Sequence, residues 1–379
     1  MRTLTPERVA RMRLLAQGLA DPWPGPVEAA RSLVCTQGQD YPGSTVSLAL
    51  RSGTGPASGT GRSAGRHSPG TTAAVRHAYD AGLIVRSWPM RGTLFVVASE
   101  DLGWILDLTA PRMLTSTDRR RGELGLDAAT LAAAESIAVR ELSGAGLTRA
   151  GLLEAWTREG IPVQDGRGYH LIFFLALTGV LCFGPTEGNG QRIVLAEEWI
   201  HNHGPSARTP AARPREEGVR ELLLRYLRSH GPATLEDFCW WSKLGKTETR
   251  TALREIRGEA PDQLEGADVG GREHWMAAGL PDRYADRARA TAAPLLLPGF
   301  DEIVLGYQDR SAVLTRDEEA RVVPGGNGVF KGTVLHRGHA VGTWKRSTRK
   351  GRPVEVDPFG TLPAPVANAI PRLSADLPG

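Results

Sequence analysis

A repeated order of local patterns constrains the fold of this chain more than any other feature. Residues 81–102 (AGLIVRSWPMRGTLFVVASEDL) and residues 178–199 (TGVLCFGPTEGNGQRIVLAEEW) follow the same plan. In each segment a glycine closes a helical stretch, two short apolar strands flank a polar turn, and acidic residues begin the next helix. A helix followed by a β-hairpin in this order is typical of a winged helix, so we expect a fold built from such units.

A third copy of the pattern is indicated further along the chain. Thr148 and Thr234 each precede an amphipathic stretch and are predicted to cap a helix. After the second of these helices, KTETRTALREI predicts the second helix of a helix-turn-helix, and Gly270-Gly271 predicts the turn of a hairpin. The sequence therefore predicts three tandem winged helices, near residues 1–100, 127–200 and 216–280.

From Pro294 onward the pattern changes to a period of two with frequent turns, in LLLPGFDEIVLGY, GVFKGTVLHRGHAVGTW and RPVEVDPF. Such alternation predicts a small antiparallel β domain. The expected fold class is thus α+β, with three tandem winged-helix units and a C-terminal antiparallel β-barrel-like domain. The expected domains are 1–126 (first winged helix with a Gln-X-Gln), 127–202 (second), 203–293 (linker and third) and 294–379 (β domain). We also expect a mobile loop at 51–72 and a connector at 203–217, because both are rich in small, polar or proline residues.

The overall composition excludes several classes of protein. Hydrophobic residues make up 41% and charged residues 23% of the chain, as in a globular protein, and no apolar run approaches the roughly 20 residues of a membrane helix. The N-terminal stretch MRTLTPERVARMRLLAQGL predicts an amphipathic helix with arginines where a secretory signal is apolar. We therefore expect no membrane partner and a cytoplasmic, nucleoid-associated location.

Cysteine and histidine spacing gives no indication of a disulfide framework or a metal site. Cys35, Cys182 and Cys239 are far apart in apolar surroundings, which favours reduced, buried thiols. His201 and His203 lie two positions apart without a third ligand. We expect neither a metal nor a cofactor.

Several winged helices in one chain indicate nucleic-acid binding, because the second helix of the motif fits a major groove. The formal charge of +4 permits such a partner, and cationic residues cluster at Arg119–Arg121 and at 345–352. We predict DNA-backbone contacts from Lys345, Arg346, Arg349 and Lys350 in the second cluster. Arg91, at the first wing turn, is a further DNA-binding candidate that could reach a phosphate or the lesion site, or could instead be a structural hydrogen-bond donor. Two classes of function remain open, an enzyme that alters DNA and a non-enzymatic transcription regulator. Because three divergent units are already joined covalently, a monomer that wraps one site is expected, and this favours the enzyme.

A pair of uncharged amides is the candidate for catalysis. In RSLVCTQGQDYPGS, Gln37 and Gln39 flank Gly38, and an extended backbone there would point both amides into a common space. Amides are not strong bases, but they can hold a water molecule and place partial negative charge beside a developing cation. A reaction that needs no more than this is the loss of a base that is already cationic, such as N7-alkylguanine. Without context, the same tripeptide would be a polar loop.

Other polar and aromatic residues of the chain have both a functional and a structural interpretation. Asp40 could act as a base, but a cap of the following turn is favoured. Asp301 and Glu302 are predicted to begin a strand, where adjacent side chains point to opposite faces, so they are not expected to form a catalytic pair. Trp240 and Trp241 follow helical apolar spacing and are expected in the core.

Five segments, taken in order, resemble blocks of the tandem winged-helix DNA glycosylases. They are TQGQDYPGS, WPMRGTLFVV, GPATLEDFCWWS, LLPGFDEIVLGYQDR and NGVFKGTVLHRGHAVGTWKR. The resemblance covers nearly the whole chain and is strongest to the AlkZ branch, which unhooks interstrand crosslinks made by azinomycin-type antibiotics. Gln37 and Gln39 match its catalytic Gln-X-Gln signature. A neighbouring branch carries an acidic residue at the second position, so Gln39 favours the crosslink-specialised branch.

The resemblance implies a DNA-sized channel formed by three winged helices and a β-barrel-like domain. It implies a cofactor-independent, monofunctional glycosylase that leaves abasic sites in self-resistance or repair. The expected partner is double-stranded DNA carrying N7-alkylguanine or interstrand crosslinks. A transcription regulator would instead bind one undamaged operator and release no base.

Overall fold

The computed structural model describes residues 1–53, 70–203, 213–347 and 353–378, except for the side chains of 201–203. The helices are α1 (Pro6–Ala16), α2 (Pro26–Leu33), α3 (Tyr41–Leu50), α4 (Thr72–Asp80), α5 (Leu102–Glu123), α6 (Ala128–Leu142), α7 (Arg149–Arg158), α8 (Arg167–Leu177), α9 (Ala196–His203), α10 (Arg215–His230), α11 (Leu235–Ser242), α12 (Lys246–Glu259), α13 (Leu280–Arg287), α14 (Glu302–Leu305), α15 (Arg316–Val322) and α16 (Ala364–Ala375). The strands are β1 (Arg2–Thr3), β2 (Cys35–Gln37), β3 (Ile84–Met90), β4 (Thr93–Ala98), β5 (Leu181–Glu187), β6 (Gly190–Leu195), β7 (Leu264–Val269), β8 (Arg272–Ala277), β9 (Leu295–Leu297), β10 (Gly332–His336), β11 (His339–Arg346) and β12 (Val354–Pro358). In the described part of the chain, no helix is both long enough and apolar enough to span a membrane.

The chain divides into two compact units. One consists of residues 1–75 and 219–379, which we call the signature unit because it contains Gln37 and Gln39; residues 76–218 form the second, which we call the central unit. The expected α+β class is confirmed, since helices and antiparallel sheets occur in both units. The four-domain division expected from the sequence stays a prediction. Most of the expected mobile loop (residues 54–69) and of the connector (residues 204–212) lies outside the described residues.

Two hairpins form the sheet of the central unit, where their strands have the order β4-β3-β5-β6. Strand β3 pairs antiparallel with β4, and β5 pairs antiparallel with β6. The hairpins join through antiparallel pairing of Arg86 with Phe183. Both segments therefore fold as the helix and hairpin predicted for them. The turn between β3 and β4 has left-handed backbone angles at Arg91 (φ 58°) and Gly92 (φ 71°), which suits a tight hairpin.

The core of the central unit is formed by the predicted buried helix α8 and its neighbours. Leu171 and Leu175 on this helix are fully buried with Trp156 of α7. Helix α7 begins where the sequence predicted, because the Thr148 hydroxyl accepts the N–H of Gly151 at 3.0 Å. The indole N–H of Trp156 is satisfied by the Ala134 carbonyl at 2.9 Å.

The signature unit contains the predicted third helix-turn-helix. Thr234 caps α11, and the Asp237 carboxylate accepts the backbone N–H of Thr234, which completes a capping box. Helix α12 follows, and β7 and β8 then form an antiparallel hairpin whose turn lies at Gly270-Gly271. The predicted Thr234 cap, the following helix, the hairpin and its Gly270-Gly271 turn are all confirmed.

The C-terminal part of the signature unit is a four-stranded antiparallel sheet of order β12-β11-β10-β9. Val334, Trp344 and Val354 from three of its strands pack with Val366 of α16.

One sequence prediction in this region is wrong: GFDEIVLGY is not a strand. Strand β9 ends at Leu297, and Phe300 adopts a left-handed backbone conformation (φ 60°) that is incompatible with a continuing strand. The Asp301 carboxylate then caps a short helix by accepting the N–H of Ile303 at 3.0 Å. Asp301 and Glu302 therefore lie at a helix start.

Candidate active site

The Gln-X-Gln signature lies on a short strand between two helices. Strand β2 (Cys35–Gln37) gives the first part of the signature an extended backbone, Gly38 and Gln39 lie beyond its end, and α3 begins at Tyr41. The chain turns from α2 into β2 at Val34, which has φ 67° and ψ −60° and is fully buried. A β-branched residue rarely adopts these angles, and such a conformation costs on the order of 1–3 kcal/mol. The surrounding packing holds this strained turn directly before the signature.

The two amides differ in their access to solvent. Gln37 is 4% exposed, whereas Gln39 lies at the surface. Among the described residues, the Gln37 side-chain nitrogen Nε2 has no hydrogen-bond partner. A buried polar group without a partner costs about 1–3 kcal/mol, and in a native structure it needs an explanation. The Gln37 carboxamide therefore has an N–H group that no described residue accepts, and it lies two positions from the exposed Gln39. The catalytic role of both residues remains a prediction.

Beneath the signature, two N–H donors and a histidine ring nitrogen converge on the carboxylate of Glu302, whose side chain is completely buried. Its Oε2 accepts the backbone N–H of Gln37 at 3.2 Å. Its Oε1 accepts the indole N–H of Trp241 at 2.7 Å and lies 3.2 Å from Nε2 of His230. An ionised carboxylate can accept all three bonds because it has only acceptor sites. Glu302 therefore holds the backbone of Gln37 in place.

Sequence reasoning missed this role of Glu302. The sequence does not indicate this contact, because Glu302 and Gln37 lie 265 positions apart. The sequence feature that could have indicated this role is the position of Glu302 among apolar residues in the segment LLPGFDEIVLGYQDR, since an acidic residue there is expected to be buried with a partner. Trp241 was expected in the core and is fully buried, which is confirmed, and Trp240 is half-buried.

The neighbouring carboxylate, Asp301, belongs to a separate buried ion pair. Arg51 Nη2 lies 2.7 Å from Oδ1 and Nη1 lies 2.8 Å from Oδ2, so the pair is bidentate. The Ser47 hydroxyl also donates to Oδ2 at 2.8 Å. Burial acts to raise the pKa of Asp301, but the Arg51 charge and the hydrogen bonds from Arg51, Ile303 and Ser47 outweigh it and lower the pKa below its usual value.

Further polar contacts extend this network away from the signature. The Gln17 carbonyl oxygen accepts from Arg51 at 3.0 Å, and Gln17 Nε2 donates to the Tyr307 hydroxyl at 3.0 Å. The Tyr307 hydroxyl in turn donates to the backbone carbonyl of His230 at 2.8 Å, and burial raises the pKa of Tyr307. These contacts join the two buried carboxylates, Asp301 and Glu302, into one hydrogen-bonded network. We call Glu302 and its partners the platform under Gln37, and the network makes this platform rigid.

The other acid and metal candidates are accounted for as follows. Asp40 occupies the N-cap position of α3 but makes no side-chain cap hydrogen bond. Within the described residues, no three His, Cys, Asp or Glu side chains cluster as metal ligands would. The side chains of His201 and His203 lie outside the described part. Cys35, Cys182 and Cys239 form no disulfide; the first two are buried, as predicted, whereas Cys239 is only half-buried.

The predicted DNA contacts lie on two hairpins. Arg91 occupies the turn of the first wing, with its guanidinium 5.5 Å from the centre of the Phe95 ring. Lys345 and Arg346 are exposed at the end of β11. Lys345 forms a cross-strand ion pair with Glu355 at 3.2 Å, and Arg346 donates to the backbone carbonyl of Pro378 at 3.2 Å. Arg349 and Lys350 lie outside the described residues. DNA binding by these residues stays a prediction.

Comparison with known proteins identifies the family. The sequence model of the family described as "DNA glycosylase AlkZ-like" matches residues 30–377. The chain belongs to this family. This AlkZ-like chain is therefore an enzyme of the DNA glycosylase type, and the transcription-regulator alternative is set aside.

A similar curated protein and a similar solved structure extend the comparison. An interstrand DNA cross-link repair glycosylase of Streptomyces sahachiroi is 28% identical over 279 residues, which cover 69% of this chain and 70% of that protein. The solved structure of the Streptomyces sahachiroi DNA glycosylase AlkZ matches with a TM-score of 0.75 and 23% identity, covering 100% of this chain and 97% of the other. The structural match shows that the two chains share a fold.

Proposed function

We propose that this AlkZ-like glycosylase hydrolyses the N-glycosidic bond of N7-alkylguanine in duplex DNA and unhooks interstrand crosslinks made through such bases. Two findings support the substrate class. The Streptomyces sahachiroi relative is named for interstrand cross-link repair. The signature supplies two neutral amides, which suit a leaving group that is already cationic.

The chemistry follows from the charge of the damaged base. Alkylation at N7 places a positive charge on guanine, so breaking the bond between N9 and C1′ returns the bonding electrons to the base and neutralises it. The sugar becomes oxocarbenium-like, and a water oxygen bonds to C1′ while the proton of that water passes to solvent. The product is an abasic site with an intact strand.

Gln37 and Gln39 would act on this transition state through their carbonyl oxygens. An amide oxygen can accept a hydrogen bond from the attacking water and places partial negative charge near the cationic sugar. The observation that supports this assignment is the nearly buried carboxamide of Gln37, whose Nε2 has no hydrogen-bond partner among the described residues, so the amide is not fully committed to bonds within the protein. Glu302 fixes the backbone of Gln37, so the amide would be oriented before the DNA binds.

The biological setting is part of the same proposal. We infer that the enzyme acts as a monomer on cytoplasmic, nucleoid-associated DNA, in azinomycin-type self-resistance or in repair. Because a crosslink tethers both strands, neither guanine can be flipped out of the helix in the usual way. The enzyme would therefore approach each lesion in place.

The test measures base release from a duplex containing N7-methylguanine, with the abasic product cleaved by alkali. Gln37→Ala and Gln39→Ala are each expected to lower the single-turnover rate by about 10²–10³-fold, the usual loss for one such positioning group. Gln164→Ala is the matched control, because Gln164 is an exposed glutamine of the central unit. Wild-type rates in both signature variants would refute the assignment.

A further inference from the structure

One exposed helix face outside the signature carries a single sign of charge. The cationic residues of α12 recur at intervals of four, four and three positions: Lys246, Arg250, Arg254 and Arg257. At 3.6 residues per turn these four side chains fall within an arc of about 80°. All four are exposed. We call this surface the α12 basic face.

The rest of the helix is segregated just as sharply. Its buried residues, Thr249, Ala252, Leu253 and Ile256, occupy another arc and pack into the signature unit. Glu248, Glu255 and Glu259 form a third arc, where Glu248 caps the start of the helix and Glu259 pairs with Arg220 at 2.6 Å. The acids therefore lie away from the basic face, and two of them, Glu248 and Glu259, are used for local structure.

The α12 basic face differs from other basic clusters in its pairing. No carboxylate of a described residue lies within 4.0 Å of Lys246, Arg250, Arg254 or Arg257. By contrast, Arg119 and Arg120 on α5 both pair with Glu123, at 3.0 and 3.2 Å. Cations without a described carboxylate partner are available to an external anion, and in this set the Arg257 guanidinium also lies 4.8 Å from the centre of the Trp275 ring. Arg119 and Arg120 share one carboxylate, so their charge is partly compensated.

The position of α12 in the fold makes this face suitable for a duplex. It is the second helix of the third helix-turn-helix, the element that approaches DNA in this motif. The equivalent helix of the second winged helix, α8, is largely buried, and its one arginine, Arg167, is paired with Asp165 at 3.1 Å. Of these two helices, α12 alone offers an unpaired cationic surface.

A chain of contacts within the signature unit connects this helix to the signature. Helix α11 packs against α12, where the Cys239 sulfur lies 3.4 Å from the Thr249 hydroxyl. Trp241 of α11 donates to Glu302, which accepts the backbone N–H of Gln37. A duplex docked on α12 would thus be held by an element bonded to the platform that carries the signature.

We propose that the α12 basic face binds the phosphate backbone of duplex DNA and supplies sequence-independent affinity. This rests on the proposed function only in taking duplex DNA as the substrate. Four cations along one face match the regular negative charge of the duplex, and phosphate contacts position a protein without reading sequence. Such binding suits an enzyme that must locate lesions in any sequence context.

The experiment uses the full-length protein and an undamaged 20-bp duplex, with binding followed by fluorescence anisotropy as a function of salt. Lys246→Gln with Arg250→Gln removes two unpaired cations. The slope of log K against log salt is negative, and if both residues contact phosphates its magnitude decreases by about 1.8 in the variant. The factor by which affinity drops between about 50 and about 200 mM salt is then roughly tenfold smaller than for wild type. Arg119→Gln with Arg120→Gln removes the same net charge from paired residues and is expected to leave the slope nearly unchanged.

Two outcomes would overturn the proposal. One is a Lys246→Gln, Arg250→Gln variant with the affinity and slope of wild type. The other is an equal fall in slope for both double variants, which would assign the effect to net charge. Thermal melting of each variant confirms that these surface changes leave the fold intact. Because the duplex is undamaged, the result is independent of base release, so failure of the glycosylase assignment would be seen separately in the assay on N7-methylguanine DNA.

Discussion

Replacing Glu302 by glutamine tests whether the buried platform acts through Gln37. The carboxylate accepts the N–H groups of Gln37 and Trp241 and lies 3.2 Å from the ring nitrogen Nε2 of His230. A glutamine keeps one acceptor oxygen and places an NH₂ group where the other oxygen stood. If the NH₂ faces β2, it opposes the backbone N–H of Gln37; if it faces the other way, it opposes the indole N–H of Trp241. Neither orientation satisfies all the donors.

The expected magnitudes follow from these contacts. Losing a buried hydrogen bond to a charged group and leaving its donor unpaired together cost about 2–4 kcal/mol of the free energy of unfolding. A displacement of Gln37 by a fraction of an ångström up to 1 Å would lower the single-turnover rate by up to about 10²-fold. Substrate affinity should change little, because Glu302 is completely buried and cannot contact DNA.

A double-mutant cycle separates positioning from general damage to the fold. Base release from N7-methylguanine DNA is measured under single-turnover conditions for wild type, Glu302→Gln, Gln37→Ala and the double variant, well below the melting temperature of each. If Glu302 acts through Gln37, its replacement has almost no further effect once the Gln37 amide is gone. Equal factors of rate loss in both backgrounds would refute the reasoning, as would a Glu302→Gln variant as fast and as stable as wild type.

Three further predictions concern the rest of the molecule. Asp301→Ala leaves the Arg51 guanidinium buried without its partner and should lower the free energy of unfolding in urea by about 3–5 kcal/mol. The exposed ion pair of Asp309 with Arg272 is the control: Asp309→Ala should lower the free energy of unfolding by at most about 1 kcal/mol. Equal losses in the two variants would contradict this prediction. Because the folded-state pKa of Asp301 is lowered, its stabilisation is complete above the unfolded pKa near 3.8 and is lost as pH falls through the folded value; urea titrations of wild type and Asp301→Asn should therefore converge in acid, and a constant difference would be inconsistent with ionisation. Burial raises the pKa of Cys182 to about 12, so its thiol should resist iodoacetamide at pH 8 until the protein unfolds, and rapid alkylation of the native protein would show that this site is open.

The sequence predicts local elements of this protein well because their signals are local. The hairpin at Gly270-Gly271 and the helix caps at Thr148 and Thr234 each depend on a few consecutive residues, and each is confirmed. Helix α12 follows from its own periodicity. The strand prediction at GFDEIVLGY is wrong because a short apolar run does not distinguish a strand from a single helical turn, and the cap at Asp301 decides between them.

The platform under the signature could not be predicted in the same way. Glu302 meets Gln37 across 265 positions, and Arg51 meets Asp301 across 250. Periodicity contains no information on such pairs, since it reports only which face of an element is buried. The different exposure of Gln37 and Gln39 also depends on the packing around β2. The sequence thus identifies the two glutamines of the signature, but not the distant residues that hold them in place.

In the proposed mechanism two neutral amides suffice for hydrolysis once the base is cationic, without a carboxylate base. Single-turnover release of N7-methylguanine, quantified by mass spectrometry, tests this by comparing the Gln37→Ala, Gln39→Ala double variant with Asp40→Asn. We expect Asp40→Asn to keep the wild-type rate within a few-fold and the double variant to lose about 10²-fold or more. An active double variant, or an inactive Asp40→Asn enzyme that still folds and binds DNA, would contradict it.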